Sequence, residues 1–100
     1  MKLVVIICVE EYAEDARKIL KNVRVPAFSE SDIQGTHLIE ENEKDNWFAV
    51  KHSMDSSRLF FTMCDKKKAE EILEEVKKCA DKFNEKHIHA FQLAIEKTIN

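Results

Sequence analysis

The chain is poor in the residues that break up or decorate a fold: 100 residues hold one glycine and one proline. A single glycine cannot build a Gly-rich phosphate loop, which needs several positions free of the Cβ restriction. No H-E-x-x-H and no nucleophile motif occurs either, so the chain is not expected to be an enzyme. Three cysteines, Cys8, Cys64 and Cys79, are odd in number, widely spaced and free of a C-x-x-C pair. They therefore make no disulfide framework; with apolar neighbours they read as small core hydrophobes. An excess of positive charge is also absent, because 16 Lys and Arg stand against 19 Asp and Glu for a net charge of −3. Nucleic acid is thus not an expected partner. Lys66-Lys67-Lys68 runs directly into Glu70 and Glu71, the mixture of an exposed helix face. Around Phe60 and Phe61 the RNA-recognition pattern K/R-G-F-G-F is missing.

The apolar run Lys2-Leu-Val-Val-Ile-Ile-Cys-Val9 is too short for a membrane span of about 20 residues. It ends in Glu10 and Glu11 rather than in a small-residue cleavage site, which makes it a poor match to a secretory signal. The expectation is a cytoplasmic protein without membrane insertion. The run reads instead as a strand buried on both faces, since a strand with one wet face alternates apolar and polar residues. Leu3, Val5, Ile7 and Val9 point one way and Val4, Ile6 and Cys8 the other.

Next, Ala13, Ala16, Leu20 and Val23 fall on one face of a helix over Glu11 to Asn22, with acids near its N-terminal end. Pro26 cannot continue that helix, and Val25 to Ile33 alternates as a second strand. Gly35, the lone glycine, is expected to supply a backbone turn. Residues 36–56 are polar and carry Glu40-Glu-Asn-Glu-Lys-Asp45 at their centre, interrupted by Trp47-Phe-Ala-Val50. Loops beyond about 12–15 residues are usually functional or disordered. Arg58 to Cys64 is a third strand, apolar on both faces. Asp65 is placed to cap a helix, whose stripe Ala69, Ile72, Leu73, Val76, Ala80 and Phe83 runs to about Phe83. Asn84 to Lys86 turns the chain into a last strand, His87 to Glu96.

Strand, helix, strand, strand, helix, strand with right-handed crossovers gives the ferredoxin-like βαββαβ sandwich. This is an α+β fold with a four-stranded antiparallel sheet and two helices on one face. One domain over residues 1–100 is expected. The central strands, first and third, are apolar on the uncovered face as well, which implies a closed oligomer, most simply a trimer. Four histidines offer a separate chemistry. His87 and His89 share a strand face, and His37 and His52 lie in the long loop with Met54 nearby. Imidazole and thioether ligands suit copper or zinc, although the spacing follows no known finger or cluster pattern.

Val25-Pro-Ala-Phe-Ser-Glu-Ser-Asp-Ile-Gln-Gly35 resembles the second strand of PII-type signalling proteins, where Val-Pro-Gly-Ile-Thr-Val-Ser-Glu-Val-Lys-Gly leads into a long T-loop. Ala90-Phe-Gln-Leu-Ala-Ile-Glu96 is similar to that family's closing strand, Ile-Phe-Val-x-Pro-Val-Glu. The resemblance implies a homotrimer that binds adenine nucleotides in clefts between subunits and reaches a partner, often a membrane transporter, through the T-loop. By position, Gly35, Lys86, His87 and His89 would line the cleft. His37, Glu40, Glu41, Trp47 and His52, within loop 36–56, would meet the partner. The family's phosphate-binding Gly-Asp-Gly-Lys is replaced by Lys86-His87-Ile88-His89, its basic C-terminal segment has no counterpart before Asn100, and its loop tyrosine is missing. A divergent, PII-like regulator is therefore expected. The near neighbour is the CutA type, also trimeric and linked to divalent-metal tolerance. Trp47 before the third strand resembles that family, whose His-Pro-Tyr-type motif is absent here.

Overall fold

The computed structural model describes residues 1–36, 54–83 and 87–99, with Met54, Asp55 and Phe83 described by backbone alone. Strands β1 (Lys2–Val9), β2 (Ser29–Thr36), β3 (Met54–Cys64) and β4 (Ile88–Ala94) form one antiparallel sheet in the order β2-β3-β1-β4. Helices α1 (Ala13–Val23) and α2 (Lys66–Phe83) provide the second layer. This is the expected βαββαβ arrangement, with the two apolar strands β1 and β3 in the centre.

Between β1 and α1 a short 3-10 turn, Glu10–Tyr12, carries two acids ahead of the helix, and Glu14 and Asp15 follow in its first turn. Negative charge there complements the partial positive charge of the unpaired amides. The stripe Ala13, Ala16, Leu20 and Val23 is buried, together with Ile19. Asp65 caps α2 by accepting a hydrogen bond from the Lys68 amide at 2.8 Å, and the buried side of that helix is Ala69, Ile72 and Val76.

Both helices cover the face of Val4, Ile6, Cys8, Phe60, Cys64 and Ile88, which with the helix residues make one core. Phe60 is fully buried, stacked at a tilt on Phe28 with centroids 6.2 Å apart. Truncating such an aromatic typically costs about 3–5 kcal/mol, because a cavity adds to the lost transfer energy. Thr62, on the same face, is buried with its hydroxyl donating to the Ala27 carbonyl.

Several strand boundaries differ from expectation. The second strand begins at Ser29 rather than Val25, because Val25 is still engaged by the helix end: its amide donates to the Leu20 carbonyl at 3.4 Å. At its far end this strand runs through Thr36, and β3 starts at Met54. The ladder therefore takes up residue 36 and residues 54–56 of the expected loop; residues 37–53, with Trp47–Val50, lie outside the described residues. The closing strand spans Ile88–Ala94, shorter than His87 to Glu96.

Gly35 does not supply a turn. It is a strand residue opposite Asp55, and no described glycine has positive φ. The left-handed position is Arg24 instead, at φ 64°, ψ 48°, just past the end of α1. Its amide donates to the Lys21 carbonyl at 3.1 Å, and the Val25 amide reaches Leu20, which together close a Schellman-type end. Lys68 from the first turn of α2 donates its ammonium to the Arg24 carbonyl, tying the two helix ends together. A residue with a Cβ held in this region is strained by roughly 1–2 kcal/mol, partly offset by the flexibility glycine has when unfolded. Arg24→Gly should therefore raise stability by about 0.5–1 kcal/mol in urea unfolding with an unchanged m-value; a loss of stability would show that the Arg24 side chain matters more than its backbone.

Candidate functional site

Alternation along the strands sends the other half of the sheet's side chains away from the helices. The register makes three rows across β3, β1 and β4: Met63–Leu3–Leu93, Phe61–Val5–Phe91 and Leu59–Ile7–His89. Eight of these nine positions are apolar, and the ninth is His89. Phe61, Met63 and Leu93 are 42%, 55% and 45% exposed in the single chain. On the β2 side the face becomes small and polar, with Ser29 beside Phe61 and Ser31 beside Leu59. A contiguous apolar face with a polar rim is the signature of an interaction surface.

Charge is gathered on the opposite, helix-bearing side, where β2 meets β3. Arg58 donates through Nε and Nη2 to the Glu10 carboxylate at 2.9 and 3.1 Å and through Nη1 to Glu30 at 2.9 Å. Its Nε also lies 2.8 Å from Asp32, its cross-strand neighbour. Arg17 of α1 grips the same Glu30 through Nε and Nη2, both at 2.9 Å, and holds Glu14 at 2.9 Å. Its guanidinium carbon lies 6.0 Å from the centre of the Phe60 ring. Paired forks of this kind fix geometry as well as charge. Hydrogen bonds from Arg17, reinforced by the charges of Arg17 and Arg58, hold the Glu30 carboxyl below the usual carboxylate range. Hydrogen bonding to Glu30 and to Glu10 raises Arg17 and Arg58 respectively. The cluster thus fastens β2, none of whose side chains is fully buried, to β3, to α1 and to the turn after β1.

The cysteines fit their expected role. Burial, with a smaller contribution from Glu10, pushes the Cys8 thiol up to about 12, and burial raises Cys64 and Cys79 as well. All three stay protonated at neutral pH, unsuited to nucleophilic attack.

Of the residues expected to line a cleft, Gly35 is half-buried near the end of β2, His87 directly precedes β4, and His89 lies within β4. The His87 carbonyl accepts the Val9 amide at 3.1 Å. Gly35 and the two histidines stand on opposite edges of the sheet, separated by three strand spacings, roughly 14 Å. One protomer therefore does not bring them together. Lys86, His37, Glu40, Glu41, Trp47 and His52 lie outside the described residues. Among the described residues no group of three or more His, Cys, Asp or Glu is placed to hold a metal ion, and no helix is long and apolar enough to cross a membrane. Sequence reasoning missed the Arg17–Arg58 cluster. Its one signal was Arg58 itself, a cation at the head of an apolar strand, but its partners lie 48 and 28 positions away.

No protein-family profile and no curated protein sequence matches the chain. Among solved structures, it is similar to a protein of Thermus thermophilus described as a PII-like signalling protein. The TM-score is 0.64 at 14% identity, covering 92% of this chain and 83% of that one. The chain has the PII-like fold. The resemblance carried by residues 25–35 and 90–96 is thus met by an independent likeness of backbone.

The ion-pair cluster makes a prediction that separates it from the apolar core. Arg58→Ala should lower the melting temperature at low salt, and Arg58→Lys should not restore it, because an ammonium cannot make the fork. The difference from the parent should shrink toward about 1 M salt, where the screening length is about 3 Å. Since Glu30 is depressed in the folded state, its contribution is complete at neutral pH and is lost as pH falls through the carboxylate range, below about 4. Thermal melts across salt and pH check this; a salt-independent difference would reassign Arg58 to packing.

Proposed function

We propose that this chain is a non-catalytic, PII-like regulatory or sensor subunit that works as a cytoplasmic homotrimer. Its open sheet faces pack inward and its hairpin segment 36–56 serves as the effector surface. The observation that carries the reading is the three-by-three apolar grid on the uncovered face, in a chain whose backbone follows a PII-like fold. Exposing Phe61, Met63 and Leu93 to water is unfavourable, and a closed ring of identical faces removes them without leaving an open end. Ring closure would also set the β2 edge of one subunit near the β4 edge of the next. That would supply from two chains the cleft of Gly35, Lys86, His87 and His89 that one chain leaves divided. A small ligand there, an adenine nucleotide in the first instance, would bias the loop, and the loop would contact a partner such as a membrane transporter.

Native mass spectrometry of the full chain with ATP, ADP, copper and zinc tests the reading. A trimer gaining nucleotide in stoichiometric steps supports it, and a trimer gaining only metal moves the ligand to the histidines. A monomer at micromolar concentration overturns it. Phe61→Glu, which puts a charge at the middle row of the grid, should raise the trimer dissociation constant about thirtyfold or more while leaving the far-ultraviolet spectrum of the folded chain unchanged.

A further inference from the structure

The sheet ends in two edge strands of unlike character, β2 of eight residues on one side and β4 of seven on the other. Edge strands are templates for pairing with another chain. Neighbours in the order β2-β3-β1-β4 are all antiparallel, so β2 and β4 run in opposite directions. On the helix-bearing side the register makes two rows that cross the sheet from edge to edge, Asp32–Arg58–Cys8–Ile88 and Glu30–Phe60–Ile6–Ala90. Each begins at an acid and ends at an apolar residue. Ile88 and Ala90 line a groove of about 290 Å³ between β4 and α2, together with Leu73, Val76 and Ala80, and Lys77 supplies the positive charge of that lining. Lys77 is exposed. Of the two acids, Glu30 is committed to the forks of Arg17 and Arg58. Asp32 lies 2.8 Å from Arg58 Nε yet keeps its side chain 81% exposed, open to a second cation.

We propose that the groove between α2 and β4 receives the β2 edge of a second copy of this chain, with the partner subunit's Asp32 set against Lys77. This rests on the assembly reading above. Rotation about an axis along the strands carries one subunit onto the next without changing the level of any residue. The incoming β2 therefore runs antiparallel to β4, continuing the alternation of the sheet. Its two acids arrive level with Ile88 and Ala90, beside Lys77. The widths agree with this arrangement. Four strands at about 4.8 Å make a side of about 19 Å, and a triangle of three such sides holds each sheet about 5.5 Å from the axis, close to half of the ~10 Å at which sheets pack face to face. Edge contacts and a filled apolar interior thus come from one geometry. Charges at the rim of a contact fix its register and partner, and like charges placed opposite one another weaken it.

Sedimentation equilibrium of the full chain at low salt tests the contact, with Asp32→Lys, Lys77→Glu and the two combined compared with the parent and circular dichroism confirming the fold of each. Either reversal alone should raise the trimer dissociation constant about tenfold or more, and the combination should return it to within about threefold of the parent. A second cycle of Asp32→Asn and Lys77→Gln avoids a lysine beside Arg58 and serves if a reversal does not fold. There the two changes together should weaken association by less than the product of their separate effects. Single changes without effect, or a combined loss equal to that product in the cycle that folds, overturn the pairing of Asp32 with Lys77 and leave the trimer standing. A parent that is monomeric at micromolar concentration overturns the pairing and the assembly reading together.

Discussion

The apolar character of β1 on both of its faces is the constraint from which the rest of the structure follows. Val4, Ile6 and Cys8 on one side and Leu3, Val5 and Ile7 on the other cannot all be covered by two helices on a single layer. Pairing with β3 and β4 satisfies the strand's backbone in its central position, and α1 and α2 cover the even-numbered face. The odd-numbered face extends across the sheet because the neighbours continue the same pattern, Phe61 and Phe91 flanking Val5. Hydrophobic area is therefore divided into a core the chain completes alone and a surface it leaves exposed, a division set by the two-residue period of a strand.

Electrostatics are distributed in a complementary way. The interior of the grid is nearly free of charge, while Glu10, Glu14, Glu30, Asp32, Arg17 and Arg58 gather on the helix side at the β2 edge. That edge needs them. With no fully buried side chain of its own, β2 contributes little hydrophobic stabilisation, so its position depends on the β3 ladder and on two guanidinium forks. The cluster joins β2 to β3, to α1 and to the turn after β1. Exposed ion pairs are individually weak, but a shared carboxylate held by two forks fixes the local geometry of this edge.

Placement of the candidate ligand residues at opposite sheet edges changes what kind of function the single chain can have. A catalytic centre normally converges within one protomer or at a clear cleft, with perturbed groups poised for proton transfer. Here the perturbed groups belong to a structural ion-pair cluster and to protonated, buried thiols. The contiguous apolar surface lies on the other face of the sheet, away from that cluster.

Much of this was legible in the residue order. Unbroken apolar runs at 2–9 and 58–64 identify strands apolar on both faces, the 3.6-residue stripes identify both helices, and Asp65 marks a helix start, because each of these signals is local and repeats within a few residues. The uncovered apolar face follows equally, since two helices offer only one layer of cover. Three things were decided by tertiary structure. The Arg58 cluster joins residues far apart in sequence, so no window could show it. The left-handed position fell to Arg24 rather than Gly35, because the Val25 amide closes the helix end on Leu20 while Asp55 holds Gly35 extended in the ladder. Which face of β4 meets the core depended on register: Ile88 turned to the core and His89 opposite Ile7 are set by the pairing of β4 with β1, and a shift of one residue would have exchanged Ile88 and His89.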